Sequence, residues 1–121
     1  MIHGKNFAFV GTVNRDGSPH VTPVWVDTDG QYVLINTAIG RTKQINTRRD
    51  PRVSIAIADQ TNPYSLVTIK GKVVEQVRGQ QAEDHIDKMA KKYHGIEKYP
   101  YRQPGEQRVL LKVEPEKVSA R

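Results

Sequence analysis

The sequence predicts a mainly β protein, an antiparallel barrel of about six strands with two short helices. Three observations favour this fold class. The first three strand-like segments follow one another through short turns, with no helix between them. Only two later segments are typical of helices, and the remaining strands are separated by long crossings. This order argues against a doubly wound parallel sheet, which alternates strands with helices.

The N-terminal third predicts an antiparallel meander. Two Asp-Gly pairs mark tight turns, because glycine adopts positive φ without steric cost. These pairs separate three short runs that read as strands. The runs are Phe7–Val13, His20–Asp27 and Tyr32–Thr37.

The middle of the chain predicts a short helix followed by two strands. Residues 41–50 have Ile45 as their only large apolar side chain, and Pro51 ends the segment. Residues 52–58 (RVSIAIA) form the fourth strand, and residues 59–64 a loop. Residues 65–77 form a long fifth strand, in which Gly71 predicts a bulge or a bend.

The C-terminal third predicts an amphipathic helix and one last strand. Within residues 80–94, apolar side chains recur at helical spacing, and Gly95 suits the C-terminal cap. The stripe consists of Ile86, Met89, Ala90 and Tyr93. Residues 96–106 predict a loop, residues 107–113 the last strand, and residues 114–121 a polar tail.

Length and composition limit the possible classes of protein. The 121 residues fit a single domain, residues 1–121, and 36% of them are hydrophobic, which allows a core of modest size. The chain has no cysteine, which excludes disulfides, thiolate metal sites and a cysteine nucleophile. No apolar run approaches the roughly 20 residues that cross a bilayer, and the N-terminus does not resemble a signal peptide. We therefore expect a cytoplasmic location and no membrane association.

The formal net charge of +6 indicates either an anionic partner or simple solubility. Five cations fall between Arg41 and Arg52, against the single acid Asp50. Gly40, Arg41, Thr42 and Lys43 follow the third strand, where the short helix begins. A helix N-terminus with unpaired N–H groups, an arginine and a lysine is suited to bind an anion. The alternative is a solvated helix face, and Arg48, Arg49 and Arg52 are expected to be surface charges or contacts to a partner subunit.

Three segments together resemble a known family. They are PVWV (residues 23–26), LINTAIGRTKQINTRRDPRVSI (34–55) and TIKGKV (68–73). Their order and spacing are similar to those of the pyridoxamine-phosphate-oxidase-like split-barrel flavoproteins, over about residues 5 to 115. The match is closest to the short branch of flavin- and deazaflavin-dependent oxidoreductases, many of which use coenzyme F420 (8-hydroxy-5-deazaflavin).

The resemblance implies a cofactor site outside the barrel. Arg41 and Lys43, with Gly40 and Thr42 beside them, match the positions that hold the cofactor phosphate. Asn36 and Thr37 match the strand end beside the ring and ribityl chain. The strand whose backbone faces the isoalloxazine edge is matched by Pro23, Val24 and Trp25. Asn46 is expected to fix the short helix.

The resemblance also implies a homodimer, with the cofactor in a groove at the interface and the loop Tyr99–Gln103 as the partner's contribution. The expected function is hydride transfer between bound F420 or FMN and a small-molecule substrate, with no catalytic acid or base assigned. A non-catalytic flavin-binding carrier or sensor is the alternative. The last strand lacks the Arg-x-His element of true pyridoxamine-phosphate oxidases, which argues against oxidation of vitamin B6.

The remaining side chains give weaker signals. The four histidines, His3, His20, His85 and His94, have no metal-ligand spacing, and no hydrolase elbow is present. His20 either contacts a substrate or lies on the surface, and Trp25 either stacks on a ring or packs in the core or interface. Tyr64, Tyr99 and Tyr101 either wall a flat ligand or pack between subunits. Aromatic residues are not interleaved with the cations, which argues against nucleic-acid binding.

Overall fold

Seven strands form one antiparallel sheet in the computed structural model, which describes residues 1–120. The first four strands are β1 (Ala8–Val13), β2 (Pro19–Val24), β3 (Asp27–Thr28) and β4 (Val33–Ala38). The last three are β5 (Arg52–Ala58), β6 (Leu66–Arg78) and β7 (Arg108–Ala120). Helix α1 spans Thr42–Arg49 and helix α2 spans Gln80–His94.

The sheet curls back on itself and forms a split barrel. Its strand order is β2-β1-β5-β6-β7-β4-β3, so the two outermost strands are consecutive in the chain. Only Trp25 and Val26 separate them, which brings the two edges of the sheet close together. The mainly β split-barrel fold class predicted from the sequence is confirmed.

The predicted meander is wrong. β1 and β2 form the expected hairpin, but β4 pairs with β7 and β3, and not with β2. Pro19 and Pro23 explain the difference, because each lacks the N–H group that a second neighbouring strand would need. β2 is therefore an edge strand. The count rises from six to seven because the predicted strand His20–Asp27 is interrupted, and Asp27–Thr28 pairs separately with β4.

The predicted polar tail is also wrong. β7 continues through Ala120 and pairs with the first half of β6, from Val67↔Ala120 onward. The polar alternation after Val113 belongs to the exposed part of a long ribbon, whereas we interpreted it as the end of structure. Arg121 lies outside the described residues.

Other elements match their predictions. β5, which was predicted as the fourth strand, and α2 have the predicted bounds. Gly95 caps α2 in the left-handed region at φ 70°. Gly71 lies at a register shift between β6 and β7, where a Cβ atom would come within 2.3 Å of the Glu114 carbonyl oxygen. Only glycine permits this close approach of the two strands.

The core is apolar inside the barrel and polar beneath α1. The side chains of Val10, Ile35, Ile55, Ile57 and Leu111 are at most 2% exposed. α2 packs the apolar side chains of its stripe against the outside of the sheet. No helix within residues 1–120 has both the length and the apolar character that crossing a bilayer requires.

Helix α1 is held by hydrogen bonds instead of apolar contacts. Ile45 is 51% exposed, whereas the polar side chains of the helix point inward. Asn46 donates to Thr12 Oγ1 at 3.0 Å and to Asn14 Oδ1 at 2.9 Å. Asn46 thus fixes the helix against β1, as expected from the sequence.

Candidate functional site

A groove of about 220 Å³ lies outside the barrel, where both edges of the sheet meet the two helices. The end of β2, the middle of β4, the beginning of α1 and the first residue of β7 all contribute to it. Its lining consists of Phe7, Pro23, Val24, Trp25, Asn36, Thr37, Arg41, Lys43, Ile86, Tyr99, Tyr101 and Arg108. The fold therefore brings together residues that are far apart in sequence.

Seven of the nine candidate cofactor residues line this groove. They are Pro23, Val24, Trp25, Asn36, Thr37, Arg41 and Lys43. Gly40 and Thr42 lie beside it and do not line it. Gly40 has φ 90° and allows the tight turn from β4 into α1, and its N–H group donates to Gln44 Oε1 at 2.9 Å. The Gly40 amide is thus engaged within the protein.

Lys43 is a buried cation without a carboxylate partner. Its exposed fraction is 8%, and no Asp or Glu oxygen among residues 1–120 lies within 4.0 Å of its ammonium group. Burial lowers the pKa of Lys43, and the neighbouring Arg41 and Arg108 lower it further. A buried charge is unfavourable unless it is paired, so this position favours an anion.

Arg108 is the residue that sequence reasoning missed. It is 2% exposed, and its Nε donates to Asn36 Oδ1 at 2.9 Å. Its guanidinium lies 5.1 Å from the centroid of the Tyr99 ring, and burial lowers its pKa, against the opposing effect of Glu106. The only signal in the sequence was an arginine at the start of an apolar strand.

One corner of the groove, formed by Arg41, Lys43 and Arg108, carries an excess of positive charge. Glu106 is the one carboxylate that pairs there within the described chain, at 3.1 Å from Arg41 and 3.4 Å from Arg108. Three cations against one carboxylate leave a formal excess of two positive charges. A phosphate monoester carries about −1.5 to −2 at pH 7, so its charge matches this excess.

The hydroxyl group of Thr37 is buried. The residue is 1% exposed, and its Oγ1 has no hydrogen-bond partner within residues 1–120. Thr37 pairs with Val109 of the barrel core, so this hydroxyl group points into the barrel and not into the groove that the residue lines.

Aromatic rings line the opposite side of the groove. Trp25 stacks on Tyr93, with centroids 5.3 Å apart, and meets Tyr99 edge to face at 6.0 Å. Tyr99 in turn meets Tyr101 at 5.6 Å. Both tyrosines line the groove of their own chain, although we expected their loop to complete the partner's site. Tyr64 is 83% exposed in the β5–β6 loop and does not line the groove.

The remaining candidates lie outside the groove. Arg52 forms an ion pair with Asp50 at 2.6 Å, and Arg49 donates to the Val13 carbonyl, while Arg48 is exposed. His20 lies on β2 and does not line the groove, and its Nδ1 is buried without a partner in the described chain. The described residues contain no group of three His, Cys, Asp or Glu side chains that could hold a metal ion.

Other depressions are larger. One of about 320 Å³ lies beside α1 and β6, and one of about 420 Å³ lies on the outer face of β1, β2 and β5. One of about 280 Å³ lies beside His85, and one of about 370 Å³ lies beside the start of β6 and the end of β7. None of these is lined by a buried cation without a carboxylate partner in the described chain. The groove is therefore the candidate functional site.

The curled sheet with a groove on its outside defines a split-barrel protein. A family model described as pyridoxamine 5'-phosphate oxidase matches residues 1–121. The chain belongs to this family, and the resemblance stated from the sequence is confirmed.

Solved structures are similar to this chain over nearly its whole length. An F420 reductase is 25% identical, with a TM-score of 0.86, and the match covers 98% of this chain and 92% of the reductase. A conserved hypothetical protein from Mycobacterium tuberculosis is also 25% identical, with a TM-score of 0.77 and coverage of 98% and 78%. General stress protein 26 from Bacillus anthracis, 15% identical with a TM-score of 0.72 and coverage of 98% and 86%, shares the fold. The comparisons agree with the flavin-type oxidoreductase family.

Proposed function

We propose that this protein is a small oxidoreductase that holds F420 or FMN in the groove by its phosphate. The observation that carries the proposal is Lys43, a buried ammonium group between two arginines with no carboxylate of its own. A protein that folds around such a charge gains when an anion binds there. A phosphate ester is the anion that also fits the resemblance of the chain.

The residues at the corner fit a phosphate group chemically. Arg41 and Arg108 present guanidinium groups that bind phosphate oxygens in pairs, and Lys43 adds a compact charge. The first N–H groups of α1 have no partner within the helix and lie beside these cations. Thr42 does not line the groove and would contribute its backbone N–H group, whereas Gly40 would only shape the turn, because its own N–H group donates to Gln44.

The remaining lining residues fit a planar ring and its polar chain. Asn36 and Thr37 lie on β4 next to the corner and line the groove where a ribityl chain would begin. The backbone of Pro23, Val24 and Trp25 would follow the edge of the ring. Tyr99 and Tyr101 provide aromatic surface for its face, because aromatic rings stack favourably on flat ligands.

A second copy of the chain would complete the groove. Its volume of about 220 Å³ is below the roughly 300–1,000 Å³ of ordinary small-molecule sites. Exposed apolar side chains lie close by on the outer face, where Phe9 and Val21 are 46% and 60% exposed. A homodimer across this face would cover both, and two-fold symmetry would create two equal sites. A cytoplasmic location remains part of the proposal.

The cofactor supplies hydride transfer when bound, and the chain supplies binding and orientation. Among the described residues that line the groove there is no His, Asp or Glu. The lining thus offers no side chain with an ordinary pKa near neutrality for acid–base catalysis. A proton would come from solvent at the open side of the groove.

The similarity to an F420 reductase favours the deazaflavin over FMN. The oligoglutamyl tail of F420 would also suit additional cations such as Arg48, which is exposed in the last turn of α1. The phosphate site would serve either cofactor. The small-molecule substrate is left open by the proposal.

Binding of the two cofactors tests the proposal. Purified protein is titrated with FMN and with F420 separately, and retention is measured on a desalting column. Arg41→Ala and Lys43→Ala should each weaken binding by roughly 1–3 kcal/mol, the scale of a charge-assisted hydrogen bond. Arg15→Ala, which removes an exposed arginine of the β1–β2 turn, serves as the control and should leave affinity unchanged. Equal affinity in all three variants would overturn the phosphate site.

A carrier or sensor without turnover is the second candidate. The observation that favours it is the same lack of an acid–base side chain in the groove. Oxidation of the reduced cofactor that depends on an added substrate distinguishes the two functions. An enzyme accelerates this oxidation, whereas a carrier protects the cofactor or leaves the rate unchanged.

A further inference from the structure

A series of hydrogen-bonded side chains runs from the groove across β4 to β3. Arg108 Nε donates to Asn36 Oδ1 at 2.9 Å, and Asn36 Nδ2 donates to the Ala82 carbonyl at 2.9 Å. The same Nδ2 lies 3.1 Å from His85 Nδ1, and His85 Nε2 lies 3.0 Å from Asp27 Oδ2. The side chains of Arg108, His85 and Asp27 are all buried. The series of hydrogen bonds ends at Lys88, whose ammonium group lies 3.4 Å from Asp27.

The donors and acceptors of this series allow only one placement of the hydrogen atoms. Arg108 Nε always carries a hydrogen, so the atom of Asn36 that faces it must be the oxygen. The NH₂ group of Asn36 then faces His85, and His85 Nδ1 must accept. The proton of the imidazole is therefore on Nε2, from which it is donated to Asp27. The contacts of Asn36 and Asp27 fix the tautomer of His85, and the NH₂ group of Asn36 favours its neutral state.

We propose that His85 is a positioning residue that holds Arg108 in the groove through Asn36, so that anion binding requires a neutral His85. The inference rests on the proposed function, because it takes Arg108 as part of the phosphate site. A proton on Nδ1 would place two donors against each other, at His85 and Asn36. The Asn36 amide would have to turn, and its NH₂ group would then face Arg108 Nε. Arg108 would lose the acceptor that orients it.

The surroundings of His85 keep it neutral near pH 7. Burial lowers its pKa below the ordinary 6.5, although Asp27 acts in the opposite direction. Lys88 and Lys92, on the same helix, lower the pKa further. Other charged groups line the depression of about 280 Å³ beside the imidazole. They are Asp29 of the β3–β4 turn, Asp84 of α2 and Lys112 of β7.

The direction of the pH effect follows from this shift. The unfolded chain takes up a proton at an ordinary histidine pKa, whereas the folded protein takes it up only at lower pH. His85 is therefore mostly neutral at pH 6.5 and above. Further acidification protonates it and breaks its contact with Asn36. Anion affinity is expected to be full at neutral pH and to decline on the acid side.

Sulfate is the probe for the first test, because its charge stays constant between about pH 5 and pH 8, unlike that of phosphate. Binding is followed by NMR titration of the wild-type chain and of two variants. His85→Asn places an acceptor oxygen near the position of Nδ1 and does not titrate. His85→Phe retains a ring of similar size and has no acceptor for Asn36.

The wild-type affinity for sulfate should fall about tenfold on acidification, which corresponds to about 1.4 kcal/mol. The His85→Asn variant should retain the neutral-pH affinity over the whole pH range. The His85→Phe variant should bind sulfate weakly at every pH. Other groups that gain protons in acid strengthen anion binding in all three proteins equally. Identical pH profiles for the wild type and His85→Asn would overturn the proposal.

A second measurement needs no ligand and no variant. The ¹⁵N shifts of the His85 ring should show the Nε2–H tautomer at neutral pH. The Nε–H signal of Arg108 should shift or exchange faster at the same pH at which His85 gains its proton. An Nδ1–H tautomer, or an Arg108 signal that ignores the titration, would refute the coupling. If the wild type binds neither sulfate nor cofactor at any pH, the proposed function fails, and these spectra alone decide the role of His85.

Discussion

Arg41 and Glu106 form an ion pair at 3.1 Å beside the groove, and the same carboxylate lies within 3.4 Å of Arg108. One carboxylate thus serves two arginines, and Lys43 has none within the described chain. The corner resembles a salt-bridge network from which one anion is missing. The first two predictions concern this imbalance.

Lys43→Met should stabilise the unliganded protein and weaken cofactor binding at the same time. Methionine retains the length of the side chain and removes a buried, unpaired charge. We expect a gain of about 1–3 kcal/mol in the free energy of unfolding and a loss of similar size in affinity for FMN or F420. Urea unfolding and fluorescence titration measure the two quantities.

Lys5→Met is the matched control, because Lys5 is exposed and lies outside the groove. It should change neither quantity by more than about 0.5 kcal/mol. If Lys43→Met instead destabilises the protein and leaves binding intact, Lys43 has a structural role and the anion site is wrong.

Cofactor affinity should fall in alkaline solution. The pKa of Lys43 is lowered from 10.5, first by burial and then by two arginines, so the free protein loses this charge at a pH below that of an ordinary lysine. Bound phosphate favours the charged form, so binding weakens as pH rises through the lowered pKa.

Lys43→Arg tests this pH dependence directly. Arginine remains charged in this range, so the affinity of the variant should stay level from about pH 8 to pH 10.5. Equilibrium titrations of both proteins give the comparison. Parallel decline in both proteins would assign the titration to another group.

Val21→Glu should convert the proposed homodimer to a monomer. Val21 is 60% exposed on the outer face, paired with Gly11 of β1. A carboxylate buried at the interface without a partner should weaken association by roughly 2–5 kcal/mol. Sedimentation velocity gives the oligomeric state, and cofactor affinity should fall together with dimerisation.

Val118→Glu is the control for this change. Val118 has almost the same exposed fraction, 59%, but it pairs with the buried Ile69. Paired residues share a face of the sheet, so Val118 points to the face opposite to that of Val21. It should leave the dimer intact. A wild-type monomer that binds cofactor fully would contradict the shared groove.

Gly71→Ala should destabilise the fold by about 1–3 kcal/mol or more, because the new methyl group would come within 2.3 Å of the Glu114 carbonyl oxygen. Gly11→Ala places the same methyl group 3.5 Å from the nearest atom, which is an ordinary contact. Thermal unfolding should show a large loss only for Gly71. Equal losses would indicate that β6 and β7 adjust easily at the register shift.

The strongly patterned elements could be predicted from the sequence, and the pairing of strands could not. The alternation in residues 52–58 and the helical stripe of residues 80–94 are local, so both elements were predicted with the observed bounds. β4 pairs with β7, whose residues lie 70 to 80 positions further along the chain, and no local signal indicates this pairing. The short turns suggested a meander, and two prolines in β2 prevented it.

The same distinction applies to the site. Arg41 and Lys43 follow a recognisable strand-to-helix junction, so the sequence indicates them without the fold. Arg108 enters the groove only because β7 pairs with β4 in the register that sets it opposite Ala38. The link from Asn36 to His85 likewise requires α2 to pack on that side of the sheet. Contacts of this kind exist only in the folded chain.

The groove takes residues from both ends of the chain, from Phe7 to Arg108. During translation Arg108 is made 70 residues after its partner Ala38, and β4 has no partner on one side until β7 follows. A nascent chain that still lacks β7 thus has no assembled site to offer. A ligand of the proposed site would therefore bind only after β7 has paired with β4, and it would not act as a template for the early steps of folding.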